Sequence, residues 1–275
     1  MNNPETLRGQ VSDAYAKAIQ GKGSCCGPSC CSDRQGYAAQ VGYAEAETQA
    51  LPAHAVESTF GCGNPLSFAG VKEGQTVLDL GSGAGLDLLL AAQKVGPTGR
   101  VIGVDMTDAM LQAARRNLDR AGVSNVELRK GIIEALPVES GSVDWVISNC
   151  VINLSPEKHR VFAEIARVLK PGGQMRVSDL VAQDLPPWAQ KMAGLVTACI
   201  GGAVTEEKYL QGLREAGLHE VQVVARQHYD SDQVLGLLSG LSPAEAASAA
   251  SLTPQQVAQS LAGRVWSATF HASKA

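Results

Sequence analysis

The run Val77-Leu78-Asp79-Leu80-Gly81-Ser82-Gly83-Ala84-Gly85 constrains this chain more than any other stretch. An aliphatic run bounded by glycine reads as a buried central strand of a parallel sheet. The glycines after it read as a turn whose backbone bends sharply and lets a ligand approach with no Cβ in the way. Leu86-Asp87-Leu88 then opens a helix. Dinucleotide sites use G-x-G-x-x-G, whose last glycine lets helix and strand pack closely around a pyrophosphate. Here the glycines fall as G-x-G-x-G, Asp79 stands just before the turn, and no P-loop lysine follows. About 20 residues on, the strand Arg100–Asp105 ends in an acid, where nucleotide-binding βαβ units place their ribose-binding carboxylate. A merely structural glycine turn would not require that acid.

The 275 residues suffice for one large domain or two small ones with an ample core. With 23 basic and 27 acidic side chains the net charge is -4, and no basic patch or arm stands out. Nucleic acid is therefore a poor substrate class. Met1-Asn2-Asn3-Pro4-Glu5 lacks a charged-then-apolar signal pattern, and no run reaches membrane-spanning length, so a cytoplasmic chain with no membrane partner is expected. No apolar heptad or obvious pairing strand suggests more than a monomer. In a reducing cytosol the seven cysteines are not expected to form a disulfide framework. Cys25, Cys26, Cys30 and Cys31 crowd one glycine-rich segment, whereas Cys62, Cys150 and Cys199 stand far apart.

Helical spacing runs from about Glu5 to Gln20, with Leu7, Val11, Tyr15, Ala18 and Ile19 near one face. Residues 1–60 thus read as a helix plus a cysteine-rich mobile segment, and 61–183 as the alternating strand–helix core. Strands are expected at Thr76–Leu80, Val101–Asp105, Val126–Arg129, Val143–Asn149 and Gln174–Asp179. One helix spans Asp108–Ala121 before Gly122, and another is capped by Ser155 with Pro156 at its first position. Residues 184–229 read as an insertion with helical character, then a helix capped by Thr205 and a strand, Val221–Ala225. The stretch 230–275 reads as a small helical tail, with caps at Ser242-Pro243 and Thr253-Pro254 and no evident chemistry.

In a doubly wound sheet, ligands bind beyond the carboxyl ends of the strands where strand order reverses. If the first and fourth strands flank that reversal, Cys150 follows directly at the crevice. Cys62 can fold over the same edge, and Cys199 lies where a lid would be. Each cysteine alone can equally be a small buried hydrophobe. Structural zinc usually draws on a short C-x₂₋₄-C pair, which these thiols do not offer. Three thiols without histidine suit a soft, thiophilic centre such as arsenic(III).

Together, Asp79–Gly85, Gly103-Val104-Asp105-Met106-Thr107, Gly61-Cys62-Gly63-Asn64-Pro65, Ser148-Asn149-Cys150-Val151-Ile152-Asn153-Leu154 and Cys199-Ile200-Gly201-Gly202-Ala203 resemble the arsenite S-adenosylmethionine methyltransferases of microbial type, over roughly residues 20 to 226. The resemblance implies a Rossmann-like class I α/β fold, with a central, mostly parallel sheet flanked by helices. It implies arsenic ligation by Cys62, Cys150 and Cys199. It also implies contacts to S-adenosylmethionine from Asp79, Gly81, Ser82, Gly83, Asp105 and Met106, with Ile133-Glu134 at the adenine and Asn149 beside the cofactor. A further redox cysteine is implied among Cys25, Cys26, Cys30 and Cys31, with Cys31 as the candidate. Arsenite and methylated arsenicals would be the substrates, and thioredoxin or glutathione the thiol reductant.

Arsenic(III) carries a lone pair, so its methylation needs no base, unlike most carbon or oxygen methylation. Glu157 and His159, the acid–base residues nearest Asn149 in sequence, read as solvated at a helix start. A methyltransferase of a small quinone- or lipid-like molecule explains the glycine turn but leaves the lone cysteines without a task. A non-catalytic thiol metalloid binder leaves the cofactor site without one.

Overall fold

The computed structural model describes residues 3–20, 38–39, 41–67, 69–189, 195, 199–238 and 252–275. The Asn3 side chain accepts from Glu5 N at 3.1 Å and Pro4 brings a φ already suited to a helix, so α1 (Pro4–Ile19) begins at Pro4. Short helices α2 (Glu45–Gln49) and α3 (Ala53–Glu57) lead to the Gly61–Pro65 turn. Alternation follows: β1 (Thr76–Leu80), α4 (Leu86–Val95), β2 (Arg100–Asp105), α5 (Asp108–Ala121), β3 (Val126–Lys130), β4 (Val143–Asn149), α6 (Lys158–Val168), β5 (Leu169–Ala182), α7 (Glu206–Glu215) and β6 (Leu218–His228). The chain continues with α8 (Ser231–Leu238), α9 (Pro254–Leu261) and β7 (Val265–Lys274). Left-handed Gly122 ends α5, the Thr205 hydroxyl accepts from Lys208 N to start α7, and Thr253 and Gln256 form a capping box on α9.

The described strands form one seven-stranded sheet in the order β3-β2-β1-β4-β5-β7-β6. β1 lies between β2 and β4 and is parallel to both, so the strand order reverses there. Leu78, Leu80, Val146 and Val177 share one core face with α6 and α7, while Val77, Val101 and Ile147 pack on the other beside α4. This is the mostly parallel α/β sheet with helices on both sides that the resemblance to class I methyltransferases implies. No described helix is long and apolar enough to cross a membrane.

Several boundaries differ from the sequence expectation. α6 begins at Lys158, with Glu157 at its cap; the Ser155 hydroxyl still accepts from Glu157 N at 3.1 Å while donating to Glu134 Oε1 at 2.7 Å. β5 begins at Leu169, and its first residues pair irregularly with β4 around left-handed Gly172. β6 runs on to His228 as an edge strand with alternate residues exposed.

The larger correction concerns 230–275. This stretch is not only helical: β7 inserts antiparallel between β5 and β6 and is hydrogen-bonded to both. Ser267, Thr269 and His271 alternate there with Ala268, Phe270 and Ala272, all buried. The alternation is that of a strand, but its polar face is buried too, whereas an alternating strand ordinarily turns that face to water. Cys25–Cys31 and the Ser242-Pro243 cap lie outside the described residues, as does part of the 184–203 insertion.

Candidate active site

The glycine turn after β1 faces the segment after β4. A Cβ on Gly81 would run into the Val151 side chain, and Gly81, Gly83 and Gly85 all take positive φ, at 66°, 52° and 91°. Around this turn lies a cavity of about 970 Å³ including its open mouth, walled by Asp79, Gly81–Asp87, Asp105, Met106, Ile133, Glu134, Asn149 and Cys150. Every residue expected at the cofactor therefore lines one space. Arg8, Val11 and Tyr15 of α1 close it from above.

The donor set suits S-adenosylmethionine. Asp105 accepts from Gly83 N at 3.0 Å and Thr107 N at 2.8 Å, and its remaining lone pairs are available to ribose hydroxyls. The Ser82 hydroxyl is buried without a partner, a costly arrangement unless a ligand supplies one. Burial, then the nearby Asp87 and Asp105 charges, push Asp79 well above the usual carboxylate range. Burial also raises Asp87 to about 6, against hydrogen bonds from Tyr43 and Asn149. Several carboxyls crowded into one cavity favour a cationic guest, which a sulfonium with an amino group is.

Beyond the turn the lone cysteines come together. Cys62, Cys150 and Cys199 are free, buried and part of one packed cluster. The Cys150 thiol interacts with both Cys62 and Cys199, which together raise it, and Cys199 Sγ donates to the Cys150 carbonyl at 2.9 Å. Hydrogen bonds from its two neighbours, then burial, hold Cys150 well above the ordinary thiol range; burial chiefly raises Cys62. The sulfurs thus form a chain with Cys150 in the middle. They do not frame a finished metal cage, since no described group of three His, Cys, Asp or Glu is spaced to hold an ion. Cys150 and Cys199 both adopt φ 62°, a conformation unusual for a side-chain-bearing residue and concentrated at functional sites.

A methyltransferase-domain family model matches residues 71–217. The arsenite methyltransferase of Halobacterium salinarum is 42% identical over 253 residues, covering 85% of this chain and 64% of that protein. The arsenite methyltransferase of Aquipseudomonas alcaligenes is 41% identical over 176 residues, covering 61% of this chain and 50% of that protein. Thus the chain spans about half to two thirds of the length of these curated relatives. The crystal structure of CrArsM, an arsenic(III) S-adenosylmethionine methyltransferase from Chlamydomonas reinhardtii, superposes with a TM-score of 0.65 at 34% identity, covering 83% of this chain and 71% of that one. The chain belongs to the arsenite S-adenosylmethionine methyltransferase family.

For a member of this family, some of the most informative residues escaped sequence reasoning. Asn149 was expected beside the cofactor; its amide also pins the Cys62 turn. Its Oδ1 accepts from Cys62 N at 2.9 Å and Gly63 N at 3.2 Å, and its Nδ2 donates to Gly63 O at 2.6 Å and Tyr43 Oη at 2.9 Å. Tyr43 in turn donates to Asp87 Oδ1 at 2.8 Å. No local motif marks Tyr43, because its partners lie 44 and 106 residues away.

Glu157 is likewise not merely solvated. Arg8 donates from Nη2 to Glu157 Oε2 at 2.6 Å and to Glu134 Oε1 at 3.1 Å, strapping α1 over the cavity, while His159 is exposed as expected. Charge-assisted, half-sheltered contacts of this kind are worth more than surface pairs. Arg8→Ala is expected to raise both the association and dissociation rates of S-adenosylmethionine about five- to tenfold, by loosening the helix that covers the site. Stopped-flow binding checks this; unchanged rates would mean α1 does not gate the cavity.

Proposed function

We propose that this chain moves the methyl group of S-adenosylmethionine onto trivalent arsenic, arsenite and methylated arsenite alike, held by Cys62, Cys150 and Cys199. The role served would be arsenic detoxification. The observation that carries this reading is the double position of Cys150, which is central in the thiol chain and also part of the cavity wall beside the glycine turn. A substrate bound to that sulfur would sit next to the cofactor space.

When bound, S-adenosylmethionine supplies an electrophilic methyl group to the arsenic lone pair, which leaves arsenic formally oxidised by two electrons. The remaining work falls to the chain's own groups. Thiol ligation exchanges arsenite hydroxyls for sulfur and releases water, so the substrate enters a site lined by Leu154, Leu180 and Ile200 without its hydration shell. Fixing both partners in one geometry can remove roughly 7–11 kcal/mol of barrier. No base is required of the surrounding residues.

A further round needs two electrons returned to arsenic. Two thiols provide them by closing a disulfide, which thioredoxin or glutathione reopens. Cys31 is the candidate within Cys25–Cys31. Serine at Cys25, Cys26, Cys30 and Cys31 together is expected to spare the first turnover and to stop repeated turnover. Rapid-quench and steady-state assays separate the two, and undiminished multiple turnover would remove the segment from the cycle. Incubating the wild-type chain with arsenite, S-adenosylmethionine and a thiol reductant, then resolving the arsenic species, tests the whole reading. Methylated arsenicals are expected; their absence, with methyl transfer to a quinone instead, overturns it.

A further inference from the structure

The floor beneath the Cys62 turn comes from the last strand, outside the residues matched by the methyltransferase model. Ser267 lies on β7, 4% exposed, opposite Leu180 of β5 and Gln227 of β6. Its hydroxyl lies 3.7 Å from where a Cβ on Gly63 would stand, beside Cys62, and its interaction with the Cys62 thiol and with the Tyr229 hydroxyl opposes the burial that raises both groups. Tyr229, 7% exposed, also donates to the Cys62 carbonyl at 3.4 Å. Two residues along, Thr269 shares a 3.1 Å hydrogen bond with Ser178, and Ser178 leaves no room for a side chain at Gly63, where a Cβ would lie 2.7 Å from its hydroxyl.

The turn carrying Cys62 is therefore held from two sides, by Asn149 on one and by hydroxyls on the other. Alanine or valine would serve as well if Cys62 only filled space, because burying hydroxyls costs free energy unless they are bonded. Ser178 and Thr269 satisfy one another. Ser267 instead spends its bonds on a sulfur and on a tyrosine that touches the same residue. Cys150 also reaches Cys62, but once Cys150 has exchanged its proton for a bound thiophile, Ser267 remains beside that sulfur with one proton to share between it and the Tyr229 oxygen, whose own proton goes to the Cys62 carbonyl.

We propose that Ser267 and Tyr229 are positioning residues that aim the Cys62 sulfur toward Cys150 and thereby set the affinity of the site for arsenite. This rests on the arsenite reading above. Ser267→Ala is expected to raise the KM for arsenite about tenfold with kcat changed less than about threefold, the scale of one lost hydrogen bond in binding. Tyr229→Phe acts in the same direction but less, Ser267→Thr restores the wild-type value, and affinity for S-adenosylmethionine stays constant throughout.

A measurement without arsenic accompanies the kinetics. The chain is treated with iodoacetamide and each cysteine's alkylation rate is mapped by mass spectrometry. The rate at Cys62 relative to Cys150 and Cys199 is expected to change at least about threefold in Ser267→Ala and to revert in Ser267→Thr. If the wild type leaves arsenite unmethylated while Cys62 alone responds, the positioning role stands and the arsenite reading falls. If the wild type methylates arsenite while Ser267→Ala and Tyr229→Phe leave both KM and Cys62 alkylation unchanged, or if all three thiols shift together, the positioning role is overturned.

Discussion

Cys150→Ser should lower arsenite methylation by about 10²–10³-fold while S-adenosylmethionine still binds within about threefold of the wild type. A hydroxyl is a poor ligand for a thiophilic centre, and misplacing a reacting atom by about 1 Å already costs about 10²-fold. Cofactor binding should survive because serine fits the same backbone. Cys150 N donates to Ser178 O at 2.8 Å irrespective of side chain, and the φ of 62° is no harder for serine than for cysteine. Arsenic speciation after timed incubation and calorimetric titration of the cofactor give the two numbers. Retention of more than about a third of the methylation rate would relegate Cys150 to packing and favour an organic substrate.

Much of this site was legible in the sequence because its parts are local. The glycine turn, the acid ending β2 and the acid of Ile133-Glu134 each sit at the carboxyl end of a strand or just beyond one, so reading the alternation places them along one edge. The adjacency of Cys150 to that edge followed from the assumed β1–β4 neighbourhood, which the register Leu80↔Ser148 bears out. What was not legible depends on long-range pairing. β7 alternates serine, threonine and histidine with alanine and phenylalanine, a strand-like period that by itself does not show its entry between β5 and β6. Its polar face is explained only by the thiols and hydroxyls it meets. The same holds for Arg8, an ordinary helix-surface arginine in sequence, whose partners Glu134 and Glu157 lie more than a hundred residues away.

The second large effect belongs to Asn149, whose single amide joins the cofactor wall to the thiol turn. Asn149→Ala leaves Cys62 N, Gly63 N and Gly63 O without their partner in a part-buried setting. At about 1–3 kcal/mol for each unsatisfied group, with partial relaxation, the expected loss is about 3–5 kcal/mol, or roughly 6–20 °C in Tm. Methylation should fall further than stability alone dictates, because the turn that presents Cys62 is no longer held. Asn149→Asp separates the two roles. It keeps an acceptor for the Cys62 and Gly63 amides but places a carboxyl beside Asp87, now 3.3 Å from the amide nitrogen and held at about 6. The new repulsion, and the loss of the Asn149 donor, raise that acid further in the folded state. A carboxyl raised on folding binds protons more tightly in the native than in the unfolded chain, so stability falls as pH climbs through the folded value and returns as pH drops below it. The Asn149→Asp variant should therefore gain Tm relative to wild type between about pH 8 and about pH 5, whereas Asn149→Ala, which loses the donor to Asp87 but adds no charge, should gain in the same direction and by less. Tm differences from wild type that stay flat with pH in both variants would show that Asn149 and Asp87 are not coupled, and the joint wall of cofactor cavity and thiol turn would lose its central contact.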